Sequence, residues 1–568
     1  MTSIHIETSA GEEANAHFHA KTILLIVAVN CVYVAQSLNV VASGSLGLSI
    51  TAVVGGSSNM VWLTSVLTIL TVVLSPPVSQ AADYWGRKWF IVFLSAMGFV
   101  GCIIVSRADS IGMAIGGLTV SGFSYGCQPL IHAVVSEVLP RKYRSYAQAT
   151  TNMSIALGAI LTLLIGGALT RNYNAVGFRT FYYITAAVYA VTTIGVGLLY
   201  NPPPRELQIK LSFHEKIRRL DWIGFALLTI GLVLFCLGLS WAQNPYPWSS
   251  AHVLANFLIG VAVTAGLIVY EWRFKRDGMF HHGLFRDRNF PIALLCVFCE
   301  GIAFFCANNY FAFEVTTFYT TDSLMVGLHY TVAFYAFFIS AVFAGWYCWK
   351  TKSLRLPTCF AFVLFLIFYI LMATANKNTP EANIWAYPLF LGSGLGIALT
   401  ALMVAAQFST LPELIAIASG LMISVRSLGG TVGLAIYNAI FNSAMSQHVA
   451  SNIAAATLPL GLPETSLGAL IGALVAHNAT ALAEIPGADL DIIEAGNEAL
   501  LDAFTVAFRH VWIAAGAFAL LAVIASIFMI DPRSDFNAHI DAPVEIDEQV
   551  DDEEAEARQD ENANKTKA

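Results

Sequence analysis

Charge is what this chain of 568 residues has least of: Asp, Glu, Lys and Arg together make 12% of it, about half the share usual in a soluble globular chain. A chain of this length built for water would divide into several domains with charged surfaces, and the deficit argues against that arrangement. Enzyme signatures are missing as well. There is no H-x-x-x-H series and no phosphate-binding loop, so an integral membrane enzyme is disfavoured. The first twenty residues lack a basic stretch followed by a short apolar run and a small-residue cleavage site, so a cleaved signal peptide is not expected. All nine cysteines sit within apolar runs. Even the C-x-x-C pair Cys296 and Cys299 therefore reads as small hydrophobes rather than as a metal or redox site.

What the chain has instead is length of apolar run. It is 57% hydrophobic, and a bilayer core about 30 Å thick needs roughly 20 apolar residues per crossing. Fourteen runs of that kind recur, near 22–42, 60–80, 89–105, 111–135, 147–169, 180–200, 222–242, 253–270, 290–311, 330–349, 356–374, 384–405, 416–441 and 511–530. An all-α integral membrane protein with 14 transmembrane helices is expected. Lys and Arg are retained on the cytoplasmic side of such proteins. Connections after even-numbered runs hold eighteen of them and those after odd-numbered runs five, which puts both termini in the cytoplasm.

This count divides the chain into a cytoplasmic tail (1–21), a six-helix bundle (22–200), a linker with two further spans (201–289), a second six-helix bundle (290–530) and an acidic disordered cytoplasmic tail (531–568). The long connection 443–509 then lies outside, and its amphipathic "LDIIEAGNEALLDAFTVAFRH" suits a membrane surface or a cap. Asn478 begins the sequon Asn-Ala-Thr there, a glycosylation candidate. A faint repeat supports two bundles: "LPRKYRSYAQATTNMS" with Gly166-Gly167 is echoed by "LPELIAIASGLMISVRSLGG" ending at Gly429-Gly430. Duplicated bundles are typical of secondary transporters, whose substrate site lies between the halves near the midplane.

The stretch "SQAADYWGRK" places Asp83, Gly86, Arg87 and Lys88 between the second and third runs. Asp83 and Arg87, four apart, share a helix face if the helix continues that far. A positive-inside anchor is the plainer reading of Arg87 and Lys88. The full pattern resembles the signature loop of major facilitator superfamily transporters, G-x-x-x-D-R-x-G-R-K, with Ser79 and Tyr84 at the two departures. "SEVLPRKYR" adds Glu137, Arg141 and Arg144 at the same border. The resemblance implies a conformational latch, a network Asp83–Arg87–Glu137–Arg144 that holds one state and breaks as the halves rock. The corresponding second-half loop, "GWYCWKTKSLR", keeps positive charge without the Asp or inner Gly.

Within the superfamily, "LDWIGFALLTIGLVLFCLGLSWAQNPYPW" and "ISVRSLGGTVGLAIYNAIF" resemble the fungal trichothecene efflux pump family. That resemblance implies the major facilitator fold in a 6 + 2 + 6 arrangement and efflux of a toxic secondary metabolite or drug across the plasma membrane. Related fungal siderophore importers share much of the pattern, and a vacuolar or vesicle membrane is the alternative location. The antiporter elements of the superfamily fall here on Leu118 and Thr162-Leu163, with only Gly166-Gly167 kept.

Charges inside spanning helices are costly and mark function. Glu300 and Arg426 each lie about ten residues into their runs, roughly 15 Å deep, and are expected to meet across a central cavity. Glu300 would be the proton-responsive group and Arg426 its partner or a substrate anchor; a static buried ion pair is the alternative. Asn30, Asn152, Asn308 and Asn309 could hydrogen-bond an oxygenated substrate, although helix packing explains each as well. Gln128 and His132 share a face, and His132 could carry protons. The expected partners are the lipid bilayer, a small hydrophobic or oxygenated organic substrate and protons. No cofactor, metal or nucleic acid is implied, and a monomer is expected.

Overall fold

The computed structural model describes residues 20–537 and 539, apart from 57–58, 172–173, 203–208, 210–211, 243–245, 276–277, 279–281, 476–481 and 483. Asn478, the tail beyond 540 and the first nineteen residues lie outside the described residues. The main helices are α1 (Ala20–Ser45), α2 (Val61–Trp85), α3 (Lys88–Ser106), α4 (Ile111–Gly122), α5 (Gln128–Glu137), α6 (Arg144–Leu161) and α7 (Gly177–Leu199). They continue with α8 (Trp222–Trp241), α9 (Ala251–Arg273), α10 (Asn289–Phe318), α11 (Ser323–Thr351), α12 (Arg355–Thr374), α13 (Pro388–Phe408), α14 (Ile415–Thr457) and α15 (Leu490–Ile527). Among the described residues thirteen helices are long and apolar enough to cross a membrane. Their outward faces carry large apolar side chains such as Trp89, Phe93, Val191, Ile194, Leu198 and Ile339, which suits contact with lipid tails.

The fourth apolar run is interrupted. α4 stops at Gly122, a tight 3-10 turn covers Phe123–Cys127, and α5 starts at Gln128. Pro129 is the cause: it has no N–H, and its ring crowds the carbonyl four residues back. The loosened turn is satisfied by α1, where Gln36 Nε2 donates to Ser124 O at 2.7 Å and Gln36 O accepts from Tyr125 Oη at 2.7 Å. Pro76 has a parallel effect inside α2. The carbonyl it cannot serve, Val72 O, accepts instead from Ser424 Oγ of α14 at 2.7 Å. A backbone group freed within the first half of the chain is thus satisfied from the second, as a lipid-excluded interior demands.

Buried apolar residues group into one large cluster among α10–α15, joined by part of α6, and two clusters among α1–α7, one of which takes in Ile415 and Ala416 of α14. A smaller cluster joins α2 to α8 and α9 through Ile69, Val72, Leu228, Leu232 and Leu267. α8 and α9 approach backbone to backbone because glycine is present. A Cβ on Gly260 would lie 2.4 Å from Phe235 N, and one on Gly238 would lie 2.7 Å from Phe257 N.

Two sequence expectations are revised. The run expected to end near 441 continues as helix to Thr457, and the amphipathic stretch, expected on a membrane surface or as a cap, is the beginning of α15. At about 1.5 Å per residue α14, with 43 residues, is roughly 65 Å long, about twice the bilayer core. α14 and α15 therefore project together beyond it, with helix Glu464–Val475 packed between them through Leu470 and Leu474. The other revision concerns the tail read as disordered from 531. Residues 531–537 and 539 are docked: Asp531 Oδ1 accepts from Leu354 N at 2.8 Å and Arg355 N at 3.0 Å, and Asn537 O and His539 O accept from Lys142 N and Arg141 N at 2.7 and 2.9 Å. Phe536 packs on Phe408 at 4.8 Å. The segment holds because it supplies partners for backbone N–H groups that begin helices or turns.

Candidate functional site

Glu300 and Arg426 each stand eleven residues past the start of their helices, α10 and α14, hence about 17 Å along. They form a bidentate pair, Nε to Oε2 at 2.6 Å and Nη2 to Oε1 at 2.9 Å. Glycine makes this possible. A Cβ on Gly301 would stand 2.1 Å from Arg426 O, one on Gly429 2.4 Å from Phe298 O, and one on Gly430 2.3 Å from the Phe305 ring. The "RSLGG" stretch therefore lays α14 directly on α10. The pair consequently does not reach across a cavity, as the sequence reading had it; it joins two neighbouring helices of the second half. Glu300 is fully buried, while the Arg426 side chain stays 24% exposed with its guanidinium 5.0 Å from the Phe304 ring.

Arg426 borders a compartment of about 50 Å³ lined by Tyr33, Gln128, His132, Asn152, Leu402 and Met422, among others. Helices from both halves contribute. Asn152 Nδ2 donates to Thr400 Oγ1 of α13 at 2.9 Å. His132 meets the Tyr33 ring edge-on at 5.4 Å and places Nδ1 2.6 Å from Gln148 Oε1. Gln148 Nε2 reaches Ser136 Oγ at 2.6 Å and Gln407 Oε1 at 3.4 Å, and Gln407 Nε2 reaches Ser419 Oγ at 3.2 Å. A polar chain thus runs from His132 into the second half.

The remaining candidates go elsewhere. Asn30 Nδ2 bonds Thr150 Oγ1 at 3.1 Å and ties α1 to α6. Asn308 is half-buried on α10, and Asn309 Nδ2 returns to Phe305 O at 2.9 Å. Neither borders the small compartment. Sequence reasoning left Gln148, Gln407, Ser419 and Thr400 unmentioned. Each is a polar residue inside an apolar run, the same signal that drew attention to Asn152. A second buried carboxylate, Glu314, accepts from Trp512 Nε1 at 2.7 Å.

At the face bearing the basic loops, Arg87 Nη1 donates to Glu137 Oε2 and Arg87 Nη2 lies 3.4 Å from Asp83 Oδ1. All three are buried. Burial works against the Arg87 charge, yet the Glu137 and Asp83 carboxylates outweigh it and hold the guanidinium above its ordinary pKa. Gly86 closes α2 at φ 90°, where a side chain would be strained. The second half closes α11 with Lys352 in the left-handed region instead. Lys88 bonds Asn201 Oδ1. Ser79, at the first position of the motif, faces Gly420 of α14, whose Cβ would lie 2.4 Å from Ser79 Oγ. The glycine required for close approach sits on the opposite helix.

Arg144 leads into the other half: Nη1 reaches Gln407 O at 3.5 Å and its guanidinium lies 5.0 Å from the Phe408 ring. Ser145 Oγ donates to Gly345 O at 2.9 Å, and Tyr143 stacks on Trp349 at 6.5 Å. Arg141 sits by Asp535 of the docked tail. Burial raises the Asp535 pKa, Arg141 opposes the shift, Asp287 adds to it and Arg144 opposes it. The basic face is closed. Across the opposite face Arg171 and Asp322 lie 3.6 Å apart.

A helical membrane protein whose two halves meet around a small compartment is a transporter of the major facilitator fold. The human organic anion transporter MFSD10 superposes with a TM-score of 0.52 at 12% identity, covering 90% of this chain and all of that one. The proton:xylose symporter XylE gives 0.54 at 11% identity, covering 89% and 94%. The chain belongs to the fungal trichothecene efflux pump family, whose model matches residues 1–565. It is 23% identical to the trichothecene efflux pump TRI12 of Fusarium sporotrichioides over 94% of this chain and 90% of that protein. It is 26% identical to the MFS-type transporter ucsD of Acremonium sp over 69% of this chain and 66% of that protein, just under two thirds of the latter. With the MFS efflux transporter aclA of Aspergillus oryzae identity is 25% over 85% of both chains.

Proposed function

We propose that this membrane transporter expels a toxic, oxygenated secondary metabolite of trichothecene-like chemistry across the plasma membrane in exchange for protons. The observation that carries the reading is the Glu300–Arg426 pair, whose arginine borders the small compartment between the halves. Exchange needs a group whose charge changes where substrate binds, and a carboxylate whose cationic partner can turn to substrate oxygens meets that need. Glu300 is the proton-responsive group and Arg426 its partner or substrate anchor, with Asn152 and Gln128 completing the wall.

In this reading α4 and α5 together make one crossing, which gives fourteen, arranged as six, two and six, with the basic face in the cytoplasm. Asp83, Arg87 and Glu137 form the latch, and Arg144 extends it to the second half. Purified protein in proteoliposomes with an acidic lumen is expected to accumulate a tritiated trichothecene, and a protonophore should abolish accumulation. Glu300→Gln should lose pH-driven accumulation while retaining binding. Unchanged accumulation by that variant would move the proton site to His132 or Glu314. Accumulation only with an alkaline lumen would make the protein an importer.

A further inference from the structure

The compartment beside Arg426, about 50 Å³, admits a water or two. A second cavity of about 810 Å³ lies between α2, α8, α10 and α14, within the size range of small-molecule sites. Ile69 of its wall belongs to the cluster that joins α2 to α8 through Leu228 and Leu232. At its far end, Trp62 of α2 and Trp241 of α8 meet edge-to-face at 6.5 Å. α8 therefore packs on α2 through this cluster, and the two tryptophans bridge the helices again toward the face opposite the basic loops.

The chemistry of the wall is specific. None of the twenty described residues around the cavity carries a charge, so an ionic ligand would be desolvated without a counter-ion there. Trp62, Trp241, Phe305 and Phe313 offer flat apolar surface. Asn309 and Asn438, polar and exposed on helices built for lipid, face this cavity. Asn438 Oδ1 accepts from Tyr310 Oη at 2.8 Å, which leaves its amide N–H groups to donate. Asn309 uses an N–H on Phe305 O at 2.9 Å, which leaves its carbonyl oxygen to accept. A ligand carrying both a carbonyl and a hydroxyl would satisfy both.

We propose that α8 is one wall of a vestibule that binds neutral, polycyclic molecules bearing carbonyl and hydroxyl oxygens, rather than a passive linker between the halves. The inference rests on the proposed transport function for what brings the ligand there; the binding chemistry is independent of it. The probe is tritiated corticosterone, a neutral steroid with both oxygen types, added to protein in nanodiscs without any gradient. Saturable binding is expected, weakened at least tenfold by Thr431→Trp, which fills the cavity, and by Asn309→Leu, which removes the acceptor at an exposed position. Light-driven attachment of the steroid enone should label peptides of α2, α8, α10 or α14 at these positions, and the cation tetraphenylphosphonium should not displace it. No saturable binding, equal binding by both variants, or displacement by the cation would each overturn the proposal. Failure here would leave pH-driven accumulation standing, and failure of Glu300→Gln to alter accumulation would leave the vestibule standing.

Discussion

Removing either member of the Glu300–Arg426 pair should have unequal consequences. Arg426→Ala takes away two charge-assisted contacts, at 2.6 and 2.9 Å, and strands a fully buried carboxylate. Breaking a buried pair from one side costs about 3–5 kcal/mol. Glu300→Gln leaves the arginine partly exposed to the compartment with the Phe304 face beside it, and the amide oxygen still accepts one hydrogen bond. The loss there is about 1–3 kcal/mol. Replacing both with Leu removes the charges together, and such swaps are often neutral or stabilising.

Thermal unfolding of the detergent-solubilised protein should therefore rank Arg426→Ala lowest and Glu300→Gln next, with Glu300→Leu/Arg426→Leu near wild type. Transport should follow a different order, because the double variant restores packing without restoring a group that changes charge. A double variant less stable than either single, or Arg426→Ala unfolding with wild type, would refute the premise that the two charges depend on each other.

Asp83→Asn keeps the Arg87–Glu137 contact, so folding should shift by no more than about 1 kcal/mol while transport slows severalfold in reconstituted vesicles; wild-type rates would remove Asp83 from the latch. Gly301→Ala sets a methyl against the Arg426 carbonyl, 2.1 Å from the ideal Cβ, and overpacking of about 1–3 kcal/mol should lower the thermal midpoint and pull the Glu300–Arg426 pair apart. Phe536→Ala removes the ring contact with Phe408, worth about 0.5–1.5 kcal/mol beyond area. A cysteine placed at Lys142 should then react faster with an impermeant maleimide, and an unchanged rate would show that the docked tail does not guard that face.

Much of the fold was legible because lipid imposes a simple rule: an apolar run of sufficient length becomes a helix. The rule fails where backbone geometry intervenes. The run at 111–135 contains Pro129, and the resulting turn at Phe123–Cys127 depends on a distant partner, Gln36, that no local pattern indicates. It also fails outside the bilayer. Hydropathy ends near 441 while the helix continues to Thr457, because Glu464–Val475 and the start of α15 give its outer turns something to pack against. The docking of 531–539 was illegible for a related reason: its composition is that of a solvated tail, and what holds it are unsatisfied N–H groups on other elements.

The site divides along the same line. Residues whose type is anomalous for their surroundings, Glu300 and Arg426, stood out at once, and the opening cluster of Asp83, Gly86 and Arg87 carried a motif. Their partners depend on helix rotation and on approach distances set by glycines such as Gly301 and Gly420, which one sequence does not reveal. Ser424 shows how far this reaches. It is unremarkable in "LMISVRS", yet it serves the carbonyl that Pro76 frees in α2, 2.7 Å away. A proline in one half and a serine in the other therefore form one hydrogen-bonding unit, and a separation of α2 from α14 at this level would leave Val72 O without that donor. Such a bond favours the arrangement in which α2 and α14 are packed together, and in the proposed rocking of the halves it would be exchanged for water or another hydroxyl where the two helices part.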